Sequence, residues 1–370
     1  NSSTKFLSIR KSFCKDRFIR QKMKKKFKKE YFSDMILVTG GTGLVGAHLI
    51  YFLLTDGQKV RAIHRANSNL EGVKQVFSYY TEAPENLFNQ IEWVEANLND
   101  IPALTKAFEG VEYVYHAAAY VSFDPKNFQK LKRSNIEGTA NIVNLCLHFK
   151  VKKLCHVSSI ATFGKTGNKM TTEDSQWNPD DDNNVYAITK YGAEMEVWRG
   201  TQEGLDAVII NPGVILGSGF WNKGTGVLFN KVFKGLSYYT RGEMGFVDVV
   251  DVVKIGIELM KSPIKNECFI LVSENKSYKQ LLSNIAIAFN KTPPKKELKP
   301  WMLGVAWRLE FLKNKLYFGK QMLFKSTAEA LVKKRHYDNS KIKQVLYYDF
   351  IPLSKTIEII TKTYINSHSN

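Results

Sequence analysis

Cysteine is scarce and scattered in this chain. Cys14, Cys146, Cys155 and Cys268 are its four thiols, and no two form a CxxC pair. That pattern offers neither a zinc site nor a disulfide framework, so no metal is expected and a reducing cytosol fits best. Long hydrophobic runs are missing as well. No apolar stretch approaches the ~18 residues that mark a membrane span, and the N-terminus carries no apolar core followed by a small-residue cleavage site. No internal repeat is evident. Acidic residues are few: 35 Asp and Glu stand against 53 Lys and Arg, a net charge of +18.

An excess of that size ordinarily points to a polyanionic partner, but its distribution argues otherwise. Residues 1–30 hold 12 Lys and Arg against 2 Asp and Glu, so +10 of the charge lies there and only +8 is spread over the other 340 residues. KMKKKFKKE, Lys22 to Glu30, with Phe6, Ile9, Phe13, Phe18 and Phe27 interspersed, has the makings of a loosely amphipathic helix for nucleic acid or an anionic membrane surface. Residues 1–34 nevertheless read as a disordered, solvated extension, with no nucleic-acid partner. Met35 stands immediately before the first apolar run, so this extension reads as separable from the folded domain.

With 370 residues, 44% hydrophobic and 24% charged, the chain can form one large α/β domain with a smaller lobe. TGGTGLVGAHL, Thr39 to Leu49, follows the apolar run Met35 to Val38 and opens a helical segment. A strand that turns through glycines into a helix N-terminus makes a phosphate site. Gly40 turns tightly, Gly43 admits a pyrophosphate and Gly46 lets helix and sheet pack, with Leu44 and Val45 supplying the first helical N–H groups. Short β-rich runs recur at Val60 to Ile63, Ile91 to Val94, Val111 to Ala117, Leu154 to Val157 and Ala207 to Ile210. Helical segments at Ile101 to Phe108, Asn135 to Phe149 and Tyr186 to Arg199 alternate with them, and Leu70 to Gln90 has room for an extra helix. This order predicts a doubly wound, parallel Rossmann sheet over 35–215. Residues 216–370, with GSGFWNKGTG at Gly217 to Gly226, are expected to leave that sheet and form a substrate lobe with C-terminal helices. Helices are expected near Val249 to Met260 and Tyr278 to Phe289, a charged linker at Lys291 to Pro300, and a lobe-packing helix at Trp301 to Phe311, with membrane-surface contact as its alternative.

The residues just past the second strand choose the cofactor. An NAD site places an acidic residue there for the ribose hydroxyls, whereas this chain has Ile63-His64-Arg65 and no acid before Glu71. The Arg65 guanidinium suits a 2′-phosphate, so NADP(H) is preferred and NAD(H) stays open. Tyr186 and Lys190 are four residues apart and share one helix face. A phenol titrates near pH ~10 and needs neighbouring positive charge to move a proton at neutral pH. Ser158-Ser159 closes the fifth strand, where a hydroxyl can hold a substrate oxygen.

TGGTGLVG, YHAAAY at Tyr115 to Tyr120, SNIEGT at Ser134 to Thr139, VSSIATFG at Val157 to Gly164, YAITK at Tyr186 to Lys190 and NPGVILG at Asn211 to Gly217 occur in that order. Together they resemble the extended short-chain dehydrogenase/reductase family, within the NAD-dependent epimerase/dehydratase superfamily. NPGVILG, FVDVVDV at Phe246 to Val252 and the closing YDNSKIKQVLYYDFIPL are most similar to its dihydroflavonol 4-reductase and 3β-hydroxysteroid dehydrogenase branches. The resemblance implies Tyr186 as catalytic acid/base, Lys190 as its partner and ribose ligand, and Ser159, rather than Ser158, as anchor of the substrate oxygen. It implies cofactor contacts from Ala117, Ala118 and Ala119, from Asn135, and from Pro212, Gly213, Val214 and Ile215. Asn97, with Leu98 beside it, stands where the family often has an Asp at the adenine. His116 is expected to be a hydrogen-bonded core residue.

The implied reaction is hydride transfer between NADPH and a carbonyl or alcohol. Phe123, Phe220, Trp221, Tyr238 and Tyr239 motivate a hydrophobic small-molecule substrate. A sugar-nucleotide epimerase or dehydratase and a non-catalytic nucleotide-binding protein are the alternatives, and a homodimer stays open.

Overall fold

A strand that is apolar on every residue must be covered on both faces, and the chain meets that demand with helices before and behind one sheet. The computed structural model describes residues 34–167, 169–317 and 324–368. The basic extension lies, apart from Asp34, outside the described residues. In chain order the Rossmann half runs β1 (Met35–Thr39), α1 (Leu44–Thr55), β2 (Lys59–His64), α2 (Glu71–Ser78), α3 (Pro84–Phe88), β3 (Glu92–Glu95), α4 (Ile101–Phe108) and β4 (Val111–His116). A short α turn (Phe128–Leu131) and a π-helical turn (Lys132–Glu137) then lead into α5 (Gly138–His148). They are followed by β5 (Lys153–Val157), α6 (Val185–Gln202) and β6 (Ala207–Pro212).

The remainder comprises β7 (Val214–Leu216), α7 (Gly226–Phe233), β8 (Tyr238–Tyr239), β9 (Glu243–Asp248), α8 (Val249–Lys261), β10 (Glu267–Leu271) and β11 (Glu274–Ser277). After these come α9 (Tyr278–Ala288), β12 (Lys296–Glu297), α10 (Pro300–Tyr317), α11 (Lys325–Ala330), α12 (Ser340–Leu346) and α13 (Leu353–His368).

The central sheet is seven-stranded and parallel, in the order β10-β6-β5-β4-β1-β2-β3. Its order reverses at β1, where ligands of open α/β sheets bind. One face packs on α1 and α8 through Ile36, Val38, Leu53, Val252 and Leu259; the other packs on α4, α5 and α6 through Leu37, Phe108, Val143 and Val197. Most of these side chains are fully buried, each contributing roughly 1.5–3 kcal/mol relative to exposure.

Two expectations need correcting. Residues beyond 215 do extend the sheet: β10 pairs with β6 from Glu267↔Val208 to Leu271↔Pro212. Phe269, Ile270 and Leu271 are all 0% exposed, as a strand covered on both faces requires. The intervening β7 to β9 had hidden an ordinary β6–α8–β10 crossover. The stretch 291–300 is also more than a linker, because Lys296–Glu297 pairs with Tyr238–Tyr239 before α10 begins. The Leu70 to Gln90 insertion holds two short helices, α2 and α3.

The smaller lobe rests on a three-stranded sheet, β11-β9-β7, which starts two residues beyond the end of β6. Its core joins α7, α9 and α13 through Phe229, Leu281, Ile357 and Tyr364. It sits over the carboxyl ends of the parallel strands.

Candidate active site

Gly40 leaves β1 with φ +71°, and an added Cβ would lie 2.7 Å from the Ala117 carbonyl carbon and the Ala118 nitrogen. That contact is backbone on backbone, so nothing can yield. At Gly46 an added Cβ would stand 2.2 Å from the Gly40 carbonyl oxygen, whereas at Gly43 it would meet only that oxygen, at 3.4 Å. Gly43 therefore faces open space. It is the N-cap of α1, with no side-chain cap and no acidic residue in the first turn, so the N–H groups at Leu44 and Val45 face that opening without a competing carboxylate. A twelve-residue helix ending in this way, at the sheet's switch point, suits a dinucleotide pyrophosphate.

Beneath the turn, Thr39 accepts a hydrogen bond from the Ala118 N–H at 3.3 Å and shares one of 2.7 Å with His116 Nδ1. His116 Nε2 reaches the Thr139 hydroxyl at 2.9 Å. Burial pushes this imidazole down to about 3, so it is neutral and ties three elements together, the core role expected for it. Ala117, Ala118 and Ala119 leave β4 beside Gly40 and return toward the surface.

Arg65 is exposed directly after β2, and its guanidinium makes no hydrogen bond or ion pair among the described residues. Asn97 is also exposed; its side chain accepts the Asn99 N–H at 2.8 Å, which fixes the bend after β3. Leu98 is buried against Gly138. Pro212 ends β6, and Gly213, Val214 and Ile215 cross from it into the lobe. An added Cβ at Gly213 would lie 2.4 Å from the Gly245 carbonyl oxygen.

Ser159, Tyr186 and Lys190 come together where β5 ends and α6 begins. Asn184 caps α6, its side chain accepting the Ala187 N–H at 2.8 Å, so Tyr186 occupies the first turn. The Ser159 hydroxyl accepts the Ala161 N–H at 3.2 Å and lies near enough to the phenol to act on its titration. Burial raises Tyr186 above its ordinary value, and Ser159 acts in the opposite direction. Lys190, 2% exposed, donates from Nζ to the Val157 carbonyl oxygen at 2.9 Å. Burial lowers its ammonium to about 8, and the Glu194 carboxylate works against that.

Ser158 points elsewhere. Its hydroxyl donates to Glu194 Oε2 at 2.6 Å, and Asn211 Nδ2 donates to the same oxygen at 2.8 Å, both inside the protein. Sequence reasoning missed Glu194, although it lies four residues after Lys190 on the face that Tyr186 begins. Asn135 is buried in the π turn with its amide engaged. Its Oδ1 accepts the Tyr120 N–H at 2.7 Å, and its Nδ2 donates to the Tyr120 carbonyl at 3.0 Å and to the Thr189 hydroxyl at 3.3 Å. It holds the loop after β4 rather than presenting a free amide. Single-turn π segments of this kind are frequent at functional sites.

Of the aromatics offered for a substrate, Phe123 stands edge-on to Tyr186, centroids 5.5 Å apart, and is 37% exposed. Trp221 is buried against Tyr364 and Tyr79 in the lobe core and cannot line a cleft. Phe220 packs on the sheet core, and Tyr238 and Tyr239 form β8.

The sequence model of the NAD dependent epimerase/dehydratase family matches residues 36–268. A Synechocystis sp. protein bearing a provisional dihydroflavonol 4-reductase name is 30% identical over 286 residues, 74% of this chain and 78% of that protein. The protein named sterol demethylase protein B of Methylococcus capsulatus is 26% identical over 286 residues, 76% and 83% of the two chains. Among solved structures, UDP-glucose 4-epimerase from Thermotoga maritima, with UDP-glucose, matches with a TM-score of 0.70 at 20% identity, over 90% of this chain and 99% of that one.

Proposed function

The chain belongs to the NAD dependent epimerase/dehydratase family and is an NAD(P)-dependent oxidoreductase of the extended short-chain type, and within that class we propose an NADP(H)-dependent reductase or dehydrogenase of a hydrophobic carbonyl or alcohol. The observation that carries this reading is the Ser159–Tyr186 pair at the mouth of β5 with buried Lys190 one helical turn away. A protein that only bound nucleotide would have no use for a proton donor in that position. Phe123 beside Tyr186 supports an apolar substrate, and the two relatives are named for a dihydroflavonol and a sterol.

The glycine turn from Gly40 to Gly46 would hold the pyrophosphate and Arg65 the 2′-phosphate, and Ala117 to Ala119 with Pro212 to Ile215 would line the nicotinamide end. Leu98, Asn97 and Asn135 shape the walls, the last through Tyr120. The chemistry the dinucleotide supplies when bound is donation or acceptance of hydride. Ser159 and Tyr186 direct O–H groups at the substrate oxygen, where negative charge grows during reduction, and Tyr186 passes its phenolic proton to that oxygen. Because burial raises Tyr186, the phenol keeps its proton until it is needed. Lys190 places a positive charge one helical turn away and stabilises the phenolate that remains.

The test is turnover of a carbonyl panel together with fluorescence titration of both nucleotides. Tyr186→Phe should lower kcat by a factor on the order of 10² or more while NADPH affinity stays nearly unchanged, and retained turnover would remove Tyr186 from the role. Arg65→Ala should weaken NADPH far more than NADH. Equal affinity of wild type for the two nucleotides would overturn the cofactor preference and favour an epimerase that recycles NAD.

A further inference from the structure

Helix α10 carries a row of apolar residues on its outside. Trp301, Val305 and Leu309 succeed one another at four-residue intervals and are 67%, 46% and 60% exposed, with Arg308 exposed among them. Leu303, on the opposite side of the helix, is 4% exposed and seats it. A surface helix normally turns such a row inward.

Charge surrounds the row. Lys295, Lys296 and Lys299 are exposed just ahead of it. Glu297 is the one acidic residue between positions 291 and 309, and Arg241 holds it at 2.8 Å. Across the β8–β12 pair, Tyr238 is 40% exposed with the Lys296 ammonium 5.7 Å from its ring centre. The patch is therefore an exposed apolar row with a cationic rim.

We propose that this patch docks the protein on an anionic lipid surface. Trp301, Val305 and Leu309 enter the headgroup boundary, and Lys295, Lys296, Lys299 and Arg308 face lipid phosphates. Charge selects this occupant from the others. A second copy would bring the same cations against themselves, and the chain's own residues 1–30, net +10, are repelled in the same way. An anionic bilayer satisfies both parts of the patch, since tryptophan and short apolar rows partition at headgroup depth and each nearby lysine adds attraction.

Flotation of the full chain with vesicles tests this. Wild type should float with phosphatidylglycerol-containing vesicles, poorly with phosphatidylcholine alone, and less at high salt. Trp301→Ser combined with Leu309→Ser should lower the partition coefficient roughly tenfold or more. Lys295→Gln combined with Lys299→Gln should lower it selectively for anionic vesicles, and both variants should keep the wild-type thermal unfolding midpoint. Absence of wild-type flotation overturns the proposal. So does undiminished flotation of both variants, which would assign binding to Lys22–Lys29. Lipid-free self-association abolished by Trp301→Ser and Leu309→Ser would assign the patch to a second copy, and capture by an immobilised acidic polypeptide but not by vesicles would assign it to a protein; either result also overturns the proposal.

Discussion

Lys190 shows what a single side chain owes to its surroundings. Four residues separate it from Tyr186, and that spacing was legible; the buried carboxylate four residues further on changes its chemistry. Glu194 raises Lys190 against a burial that brings it to about 8. Removing that negative charge should lower Lys190 further. In Glu194→Gln, the loss of kcat/KM above about pH 8 that marks deprotonation of Lys190 should therefore begin at lower pH. A pH profile measured on both proteins checks this, and an unmoved limb would separate Glu194 from the site. Nothing in the residue string linked Glu194 to Ser158 and Asn211, because the three meet only when β5, β6 and α6 pack.

At the scale of elements, β5 contributes at both ends. Its last residues lead to Ser158 and Ser159, while its first, Lys153, lies 6% exposed and donates from Nζ to the carbonyls of Leu259 at 2.7 Å and Ser262 at 2.8 Å. Both carbonyls lie at the C-terminus of α8, where Leu259 also accepts from the Ser262 N–H and hydroxyl, and a cation there meets the negative end of the helix. Lys153→Met should cost about 1–3 kcal/mol in denaturant unfolding with the m-value preserved; a change within a few tenths would show that water replaces the ammonium. The strands and helices around the site were legible from periodicity, to within a few residues. The π turn was not, since a helical period carries no mark of one inserted residue, yet it is what aims Asn135 at Tyr120.

Across the whole molecule, the C-terminal chain returns to the sheet and fastens the lobe to it. Ile342 of α12 joins the sheet core, Asn339 Nδ2 donates to the Val272 carbonyl, and buried Asp251 at the start of α8 accepts from the Tyr348 hydroxyl at 2.9 Å and the Ile351 N–H at 3.0 Å. Burial, opposed by the hydrogen bonds from Tyr348 and Ile351 and by Lys254 and reinforced by Asp248, raises Asp251 from 3.8 to about 6. The folded state thus favours the protonated carboxyl. That contribution is full below pH 3.8 and is lost as pH rises through about 6. Thermal midpoints of Asp251→Asn should consequently gain on wild type as pH rises across this window, and parallel curves would show that the carboxyl titrates as it does in the unfolded chain.

The sequence by itself determined the glycine turn, the first six strands as members of a parallel, doubly wound sheet, and the Tyr186–Lys190 face. Each depends on local geometry: positive φ, strand and helix periods, and one turn of α-helix. The tertiary structure alone decided that residues 267–271 complete the sheet, that Glu194 stands behind Ser158, that Trp221 is core while Phe123 meets Tyr186, and that Trp301, Val305 and Leu309 face outward. A hydrophobic pattern states that a face is apolar, but what that face meets depends on where the other elements fold.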